Sequence, residues 1–230
     1  MKIPLSNRLL TCCSFVNSGD RVADIGCDHG YLGIHLLKEH IADSIIASDV
    51  NEGPLHSAMR NAAKFGVKDK MSFYLSDGVR NIPRDFDCLV CAGMGADTMM
   101  SILDAAPWLQ DPRYRLILQC QSKRPELRKY LYENGFSILR ETLAQDGKFI
   151  YPVMEVVYNP AVPLSPAQYH ITPALLESRS ALMPAFMDRV IRGVEATVQG
   201  LEKNGGEKCE EFRIILNELR EMRSNYDNCE

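Results

Sequence analysis

The chain has no surplus of positive charge: 26 Lys and Arg stand against 30 Asp and Glu, a formal net charge of −4. No global field therefore advertises tight, non-specific nucleic-acid binding, although a local basic patch is left open. It has no apolar stretch near the roughly 20 residues of a membrane-spanning helix, so no membrane partner is expected. Near the start, Pro4, Asn7 and Arg8 stand where a secretory leader would carry its apolar core, which argues against export. The chain is rich in cysteine, with eight, but they are scattered. Cys88 and Cys91 form the only C-x-x-C, inside the apolar run Asp87-Cys88-Leu89-Val90-Cys91-Ala92. If that run is a strand, residues three apart point to opposite faces and share neither a metal nor a bridge. Reduced thiols, a cytoplasmic setting and no metal are the expectation. A G-x-G-x-x-G dinucleotide fingerprint is also missing.

In its place stands Asp24-Ile25-Gly26-Cys27-Asp28-His29-Gly30, after the short apolar stretch Arg21-Val22-Ala23. It reads as a strand end, a tight turn and a helix start near Tyr31, with Gly26 and Gly30 letting backbone amides and a helix N-terminus approach a ligand. Asp28 occupies the place where a pyrophosphate would have to lie, and Asp24 ends the strand. Two carboxylates at the mouth suit a ligand with positive charge, such as the sulfonium and ammonium of S-adenosylmethionine.

Along the chain, strand-like and helix-like segments alternate. After a leading helix over Leu5–Val16, strands are expected at Arg21–Asp24, Ser44–Asp49, Met71–Leu75, Phe86–Ala92 and Arg115–Gln119, with helices between them. Phe136–Thr142 and Lys148–Tyr158 close the region as two β-rich segments around the turn signal Gln145-Asp146-Gly147. The pattern predicts an α/β fold, a parallel sheet covered by helices on both faces with a hairpin at one edge. Three prolines between Asn159 and Pro166 mark a boundary, giving domains over residues 1–160 and 161–230. From about Pro173, apolar residues recur every three or four positions on both sides of Asn204-Gly205-Gly206. An antiparallel, coiled-coil-like helical hairpin is expected, its seam packing within the chain or against a second copy, so monomer and homodimer both stay open.

Acids and glycines then recur at strand ends, where open α/β sheets bind ligands. Asp49, followed by Val50, could accept both hydroxyls of a ribose; Asp77-Gly78 could take an adenine amine; Gly93-Met94-Gly95 could let backbone approach a reacting methyl group. Any one of these acids could instead be a helix cap or turn former. The register across four strands favours S-adenosylmethionine over a nicotinamide cofactor.

Leu5-Ser6-Asn7-Arg8-Leu9, Asp24 to Leu32, Ser48-Asp49-Val50-Asn51-Glu52-Gly53-Pro54-Leu55 and Ala92-Gly93-Met94-Gly95 together resemble the bacterial tRNA (adenine-22-N1)-methyltransferase family. The resemblance covers about Leu5 to Tyr158, and the family's appended helical domain matches the hairpin. Ala96 stands where the family tends to have a further glycine, and Gln119-Cys120-Gln121 where it tends to have Gln-Pro-Asn. The resemblance implies a Rossmann-like class I methyltransferase that uses S-adenosylmethionine to methylate N1 of adenine in tRNA. Adenine N1 carries a lone pair and no proton, so transfer is a matter of positioning more than acid–base work. Asp28, His29 and Met94 are the candidates near the transfer point, with helix capping an equal reading of His29. Cofactor contacts fall to Asp24, Gly26, Gly30, Asp49, Val50, Asp77, Gly78 and Gly93. RNA contacts fall to Lys123, Arg124, Arg128 and Lys129, with Lys2 and Arg8 a second possibility and a solvated helix face the alternative. From residue 161 onward there are 8 Lys or Arg and 11 Asp or Glu, so the hairpin reads poorly as a phosphate sleeve. The competing readings are a methyltransferase of the same fold acting on another RNA base, a small molecule or a protein, and a binding module without catalysis.

Overall fold

The computed structural model describes residues 2–204 and 208–227. Helix α1 (Asn7–Cys13) is followed by β1 (Asp20–Ile25), α2 (Tyr31–Lys38), β2 (Ala42–Asp49), α3 (Glu52–Lys64), β3 (Met71–Leu75) and β4 (Cys88–Met94). Then come α4 (Ala96–Asp104), β5 (Arg115–Cys120), α5 (Arg124–Glu133), β6 (Phe136–Asp146) and β7 (Phe149–Tyr158). Three helices complete the chain: α6 (Pro173–Glu177), α7 (Met183–Asn204) and α8 (Cys209–Asp227).

One seven-stranded sheet has the order β3-β2-β1-β4-β5-β7-β6. The five strands β1 to β5 are parallel, and β7 runs antiparallel between β5 and β6. The connections leave β1 toward β2 on one side and reach β4 on the other. The crevice at the carboxyl ends of β1 and β4 is therefore the switch point where such sheets take ligands. The period-2 alternation of apolar residues divides the core. Val22, Ile45, Cys88, Val90 and Ile117 pack with α1, α2 and α3 on one face. Ala23, Ile25, Leu89, Cys91, Leu116 and Leu118 pack with α4 and α5 on the other. Cys88 and Cys91 thus lie on opposite faces, and both are free thiols. No helix among the described residues is long and apolar enough to cross a membrane, and no metal-holding cluster of His, Cys, Asp and Glu occurs among them.

Several boundaries differ from expectation: α1 is shorter than Leu5–Val16, β4 runs two residues later than Phe86–Ala92, and two further differences change a connection. Strand β6 runs on to Asp146, so the β6–β7 turn is only Gly147-Lys148, with Gly147 at φ +58°. The helical segment expected from Pro173 is two helices, because Arg179 takes the left-handed conformation at φ +47° and interrupts it. Helices α7 and α8 pack together, with Val194, Val198, Ile215 and Leu219 in their seam. Ion pairs Asp188–Arg223, Glu195–Arg220 and Glu202–Arg213 rise along one helix as they descend the other, which makes the pair antiparallel. Gly205 and Gly206 of the expected turn lie outside the described residues.

The hairpin is fastened to the sheet through a buried polar knot. Arg128, fully buried, donates through Nη1 to the carbonyls of Tyr169 (2.9 Å) and His170 (2.8 Å) and through Nη2 to Glu141 Oε1. Thr172 Oγ1 donates to the other Glu141 oxygen at 2.5 Å and accepts from Leu175 N, capping α6. Each charge is met by its opposite, which is what allows both to leave water.

Candidate active site at the carboxyl ends of β1 and β4

The turn after β1 is built by its own backbone. Gly26 (φ +72°) and Cys27 both donate to the Ser48 carbonyl at 2.9 Å. Asp28 N donates to Asp49 Oδ2 at 3.2 Å, and Gly30 N to the Cys27 carbonyl at 2.8 Å. The expectation that these amides would face a ligand is therefore corrected, because neighbouring β2 and the turn itself use them. Asp28 holds a left-handed conformation at φ +50°, a strained position for a residue with a side chain.

Asp24 is almost fully buried, and its carboxylate accepts from the amide of Gly33 in the first turn of α2. A helix N-terminus that could have held a phosphate is thus already met by a carboxylate of the chain itself. Burial pushes the Asp24 carboxyl up to about 7, with the nearby Asp49 adding to the rise and the Gly33 amide opposing it. Its Oδ2 has no hydrogen-bond partner. Asp49 is also buried and accepts from Asn51 N at 2.9 Å through Oδ1. Val50, beside it, is 62% exposed.

Asp24, Gly26, Asp28, His29, Tyr31 and Arg8 line one concave mouth together with Ala92 at the end of β4. The Asp28 carboxylate lies 3.7 Å from His29 Nε2, both side chains more than half exposed, and the His29 ring leans on Tyr31 at 5.8 Å. Across the mouth, Met94 Sδ lies 3.4 Å from Cys91 Sγ, and the Met94 methyl lies against the open Cα of Gly26. Gly93, at φ +83°, donates to Gln119 Oε1 at 3.1 Å. Gly30 lets α2 start against Ala58, whose Cβ would be only 2.9 Å from a side chain there.

A family model described as "Methyltransferase domain" matches residues 5–154. The chain belongs to the methyltransferase-domain family. A Bacillus subtilis tRNA (adenine(22)-N(1))-methyltransferase is 34% identical over 149 residues, 64% of this chain and 63% of the relative. The aligned stretch thus spans just under two thirds of that relative. The solved structure of a B. subtilis M1A22 tRNA methyltransferase superposes with a TM-score of 0.79 at 25% identity, over 99% of each chain. A Streptococcus pneumoniae protein solved in complex with S-adenosyl-L-methionine has the same TM-score at 27% identity, over 95% of this chain and 99% of that one. The likeness therefore extends through the helical hairpin.

Other expected site residues of this methyltransferase are dispersed. Asp77 follows β3 but turns outward, 73% exposed and 3.3 Å from Arg80 Nε, in a depression beside Asp97 and Thr98. Gly78 (φ +59°) packs under Ile102. Ser76, buried between Gly78 O and Asn81 N, is the polar group that fixes this turn. Cys120 is a buried thiol whose Sγ lies 2.9 Å from the Ser122 carbonyl, and burial raises its pKa, so it is structural rather than nucleophilic.

The expected RNA cations separate into two kinds. Arg128 is removed from the set, since it is fully buried and spent on Glu141, Tyr169 and His170. Arg8 is turned into the mouth and is no free surface cation. Lys123 and Lys129 are exposed, near Asp97 (2.7 Å) and Glu133 (3.8 Å). Arg124 lies over the Phe186 ring, its pKa lowered by burial and by Arg128. Lys123, Arg124 and Arg189 line a cleft of about 470 Å³ between α5 and α7. His170 lines it too, its pKa held down to about 4 by burial and by Arg128 and Arg124.

Gln119 and the Gly33 amide are site groups that sequence reasoning missed. A glutamine closing the apolar run Leu116-Ile117-Leu118 was the available signal for the first. Nothing in the sequence marks an amide inside a helix.

Proposed function

We propose that the chain is a cytoplasmic S-adenosylmethionine-dependent methyltransferase acting on N1 of adenine in tRNA, at position 22. The observation that carries the cofactor half is the buried, partnerless Asp24 Oδ2 at a mouth whose turn amides are already spent. A mouth that offers acceptors favours a cationic ligand over a phosphate. Support for the substrate half comes from the named relatives and from the match along the whole chain.

When bound, S-adenosylmethionine supplies an electrophilic methyl on sulfur. Asp49, at the end of β2, accepts the ribose hydroxyls, and Val50 lies beside it for the adenine ring. Gly26, Gly30 and Gly93 keep the backbone close, and Asp77-Gly78 closes the adenine end after reorienting from Arg80. Asp28, His29 and Met94 surround the point of transfer. Adenine N1 has a lone pair and no proton to lose, so these residues would orient the base and hold the N6 amine, and Asp28 would offset the positive charge of the methylated base. The base must leave its stack to reach the mouth. Lys123, Arg124 and Lys129 contact RNA phosphates as it does so. Residues 1–160 form the catalytic domain and 161–230 a coiled-coil domain that guides the RNA by shape, the protein being a monomer or homodimer.

The test is incubation with labelled S-adenosylmethionine and bulk tRNA from a strain lacking the modification, followed by nucleoside digestion. Label in 1-methyladenosine is expected, and lost when the tRNA carries guanine at position 22. Unlabelled tRNA would sink the substrate reading.

A further inference from the structure

The exit of β5 is fastened to the end of β4. Gln121 N donates to the Met94 carbonyl at 2.9 Å, and Ala96 N to the Ser122 carbonyl at 3.3 Å. Gly95 makes the approach possible, since a Cβ there would stand 2.9 Å from Ser122 Oγ. Gln121 is thus anchored at its root, and its side chain reaches over Gly93. Its Nε2 is 3.7 Å from where a Gly93 Cβ would stand. The neighbouring polar groups are spent. Gly93 N and Arg8 Nη1 donate to Gln119 Oε1 at 3.1 and 2.9 Å, and Arg8 Nε faces Asp146 Oδ2 at 3.4 Å. Gln121 differs. It is exposed, and its terminal amide meets no hydrogen-bond partner among the described residues.

A primary amide sets an acceptor oxygen beside a donor nitrogen in one plane. Adenine presents the complement on the edge that carries N6 and N7, a donor amine next to an acceptor nitrogen. A pairing there, with N6 donating to Oε1 and Nε2 donating to N7, holds the base by two hydrogen bonds. It leaves N1 uncovered on the adjoining edge, and the second N6 hydrogen free for Asp28. Pairing on N6 and N1 instead would block the atom to be methylated. Guanine shows acceptors at both O6 and N7, so the same amide would set oxygen against oxygen. We propose that Gln121 reads the target base, holding adenine by N6 and N7 beside Gly93 so that N1 faces the methyl group. Backbone fixed to β4 carries the amide, so little freedom is lost in ordering it. This rests on the substrate half of the function above.

The test is methyl transfer to a tRNA with adenine at position 22 and to the same tRNA with 7-deazaadenine there, which replaces N7 by carbon and keeps N1 and N6. Wild-type kcat/KM is expected to be about 10-fold or more lower on the deaza tRNA. Gln121→Ala is expected to lose about 10- to 100-fold on the ordinary tRNA and nothing further on the deaza tRNA, with Gln121→Asn keeping part of the preference. Calorimetric affinity for S-adenosylmethionine is expected to stay within about twofold in both variants. Equal wild-type rates on the two tRNAs, or a further loss in Gln121→Ala as large as the wild type's, overturn the proposal. A loss of cofactor affinity that accounts for the lost activity overturns it as well. Should the variants fail to fold, the wild-type comparison decides alone. Wild-type protein that leaves the ordinary tRNA unmethylated removes the substrate reading and this assignment with it, whereas methylation of both tRNAs at one rate removes the assignment alone.

Discussion

The terminal methyl of Met94 lies where a side chain on Gly26 would have to go, so the end of β4 packs directly on the turn after β1. Gly26→Ala forces that methyl aside and strains a residue at φ +72°. A loss of about 1 kcal/mol in stability is expected, with a larger loss in cofactor affinity. Adding Met94→Ala gives the new methyl room and recovers part of the affinity but not the backbone strain. Urea denaturation and cofactor titration of the single and double variants check this, and strict additivity would contradict the contact.

Asp24 gives stability a distinctive pH dependence. Its carboxyl is raised from 3.8 to about 7, chiefly by burial. Between those values the folded state keeps a proton that the unfolded chain releases, so this contribution is full below pH 4 and is lost as pH rises through 7. Asp24→Asn removes that slope, visible as a flatter difference curve in urea unfolding between pH 4.5 and 7.5. A cationic ligand favours the ionised carboxylate, so wild-type protein releases a proton on binding it below about pH 7. Calorimetry in buffers of different ionisation enthalpy reads that proton directly.

His170 acts in the opposite sense. Burial, Arg128 and Arg124 lower its pKa from 6.5 to about 4. The folded state refuses a proton that the unfolded chain accepts, so this contribution is complete above pH 6.5 and disappears as pH falls toward 4. His170→Gln is expected to lose less stability than wild type between pH 6.5 and 4.5, by about 1–3 kcal/mol. An NMR titration of His170 that turns near its ordinary 6.5 would contradict the burial of this ring beside two guanidinium groups.

The Arg128–Glu141 pair is expected to be costly to break from either side. Arg128→Met strands Glu141 in the core, and Glu141→Leu strands Arg128; each costs about 3–5 kcal/mol. The double variant recovers much of that loss, because no charge is left buried alone. Thermal unfolding of the three proteins measures it.

Most of the sheet was legible because its strands are short apolar runs ended by Asp, Gly or Ser, and the Asp24, Asp49 and Gly93 positions follow from register alone. Arg128 misled because a basic residue on a helix reads as solvated unless its partners are known. Those partners are Glu141, on β6, and two carbonyls beyond the proline-rich boundary. Arg8 was indistinct for the same reason, since Gln119 and Asp146 lie more than a hundred residues away. Left-handed residues such as Asp28 and Arg179 carry no composition signal at all, and they decided a turn and a helix break.

The tip of the β6–β7 hairpin holds the beginning of the chain: the Asn7 side chain donates to the Gln145 carbonyl, 138 residues on, and Arg8 faces Asp146. During synthesis, β1 to β5 can therefore assemble with both acids in place while Arg8 has Gln119 but still lacks Asp146. Only when the hairpin has emerged and docked is the opening residue set. A nascent or truncated chain that stops short of Asp146 is expected to have a sheet but a poorly formed mouth, so ligand occupancy would report on whether the polypeptide is whole.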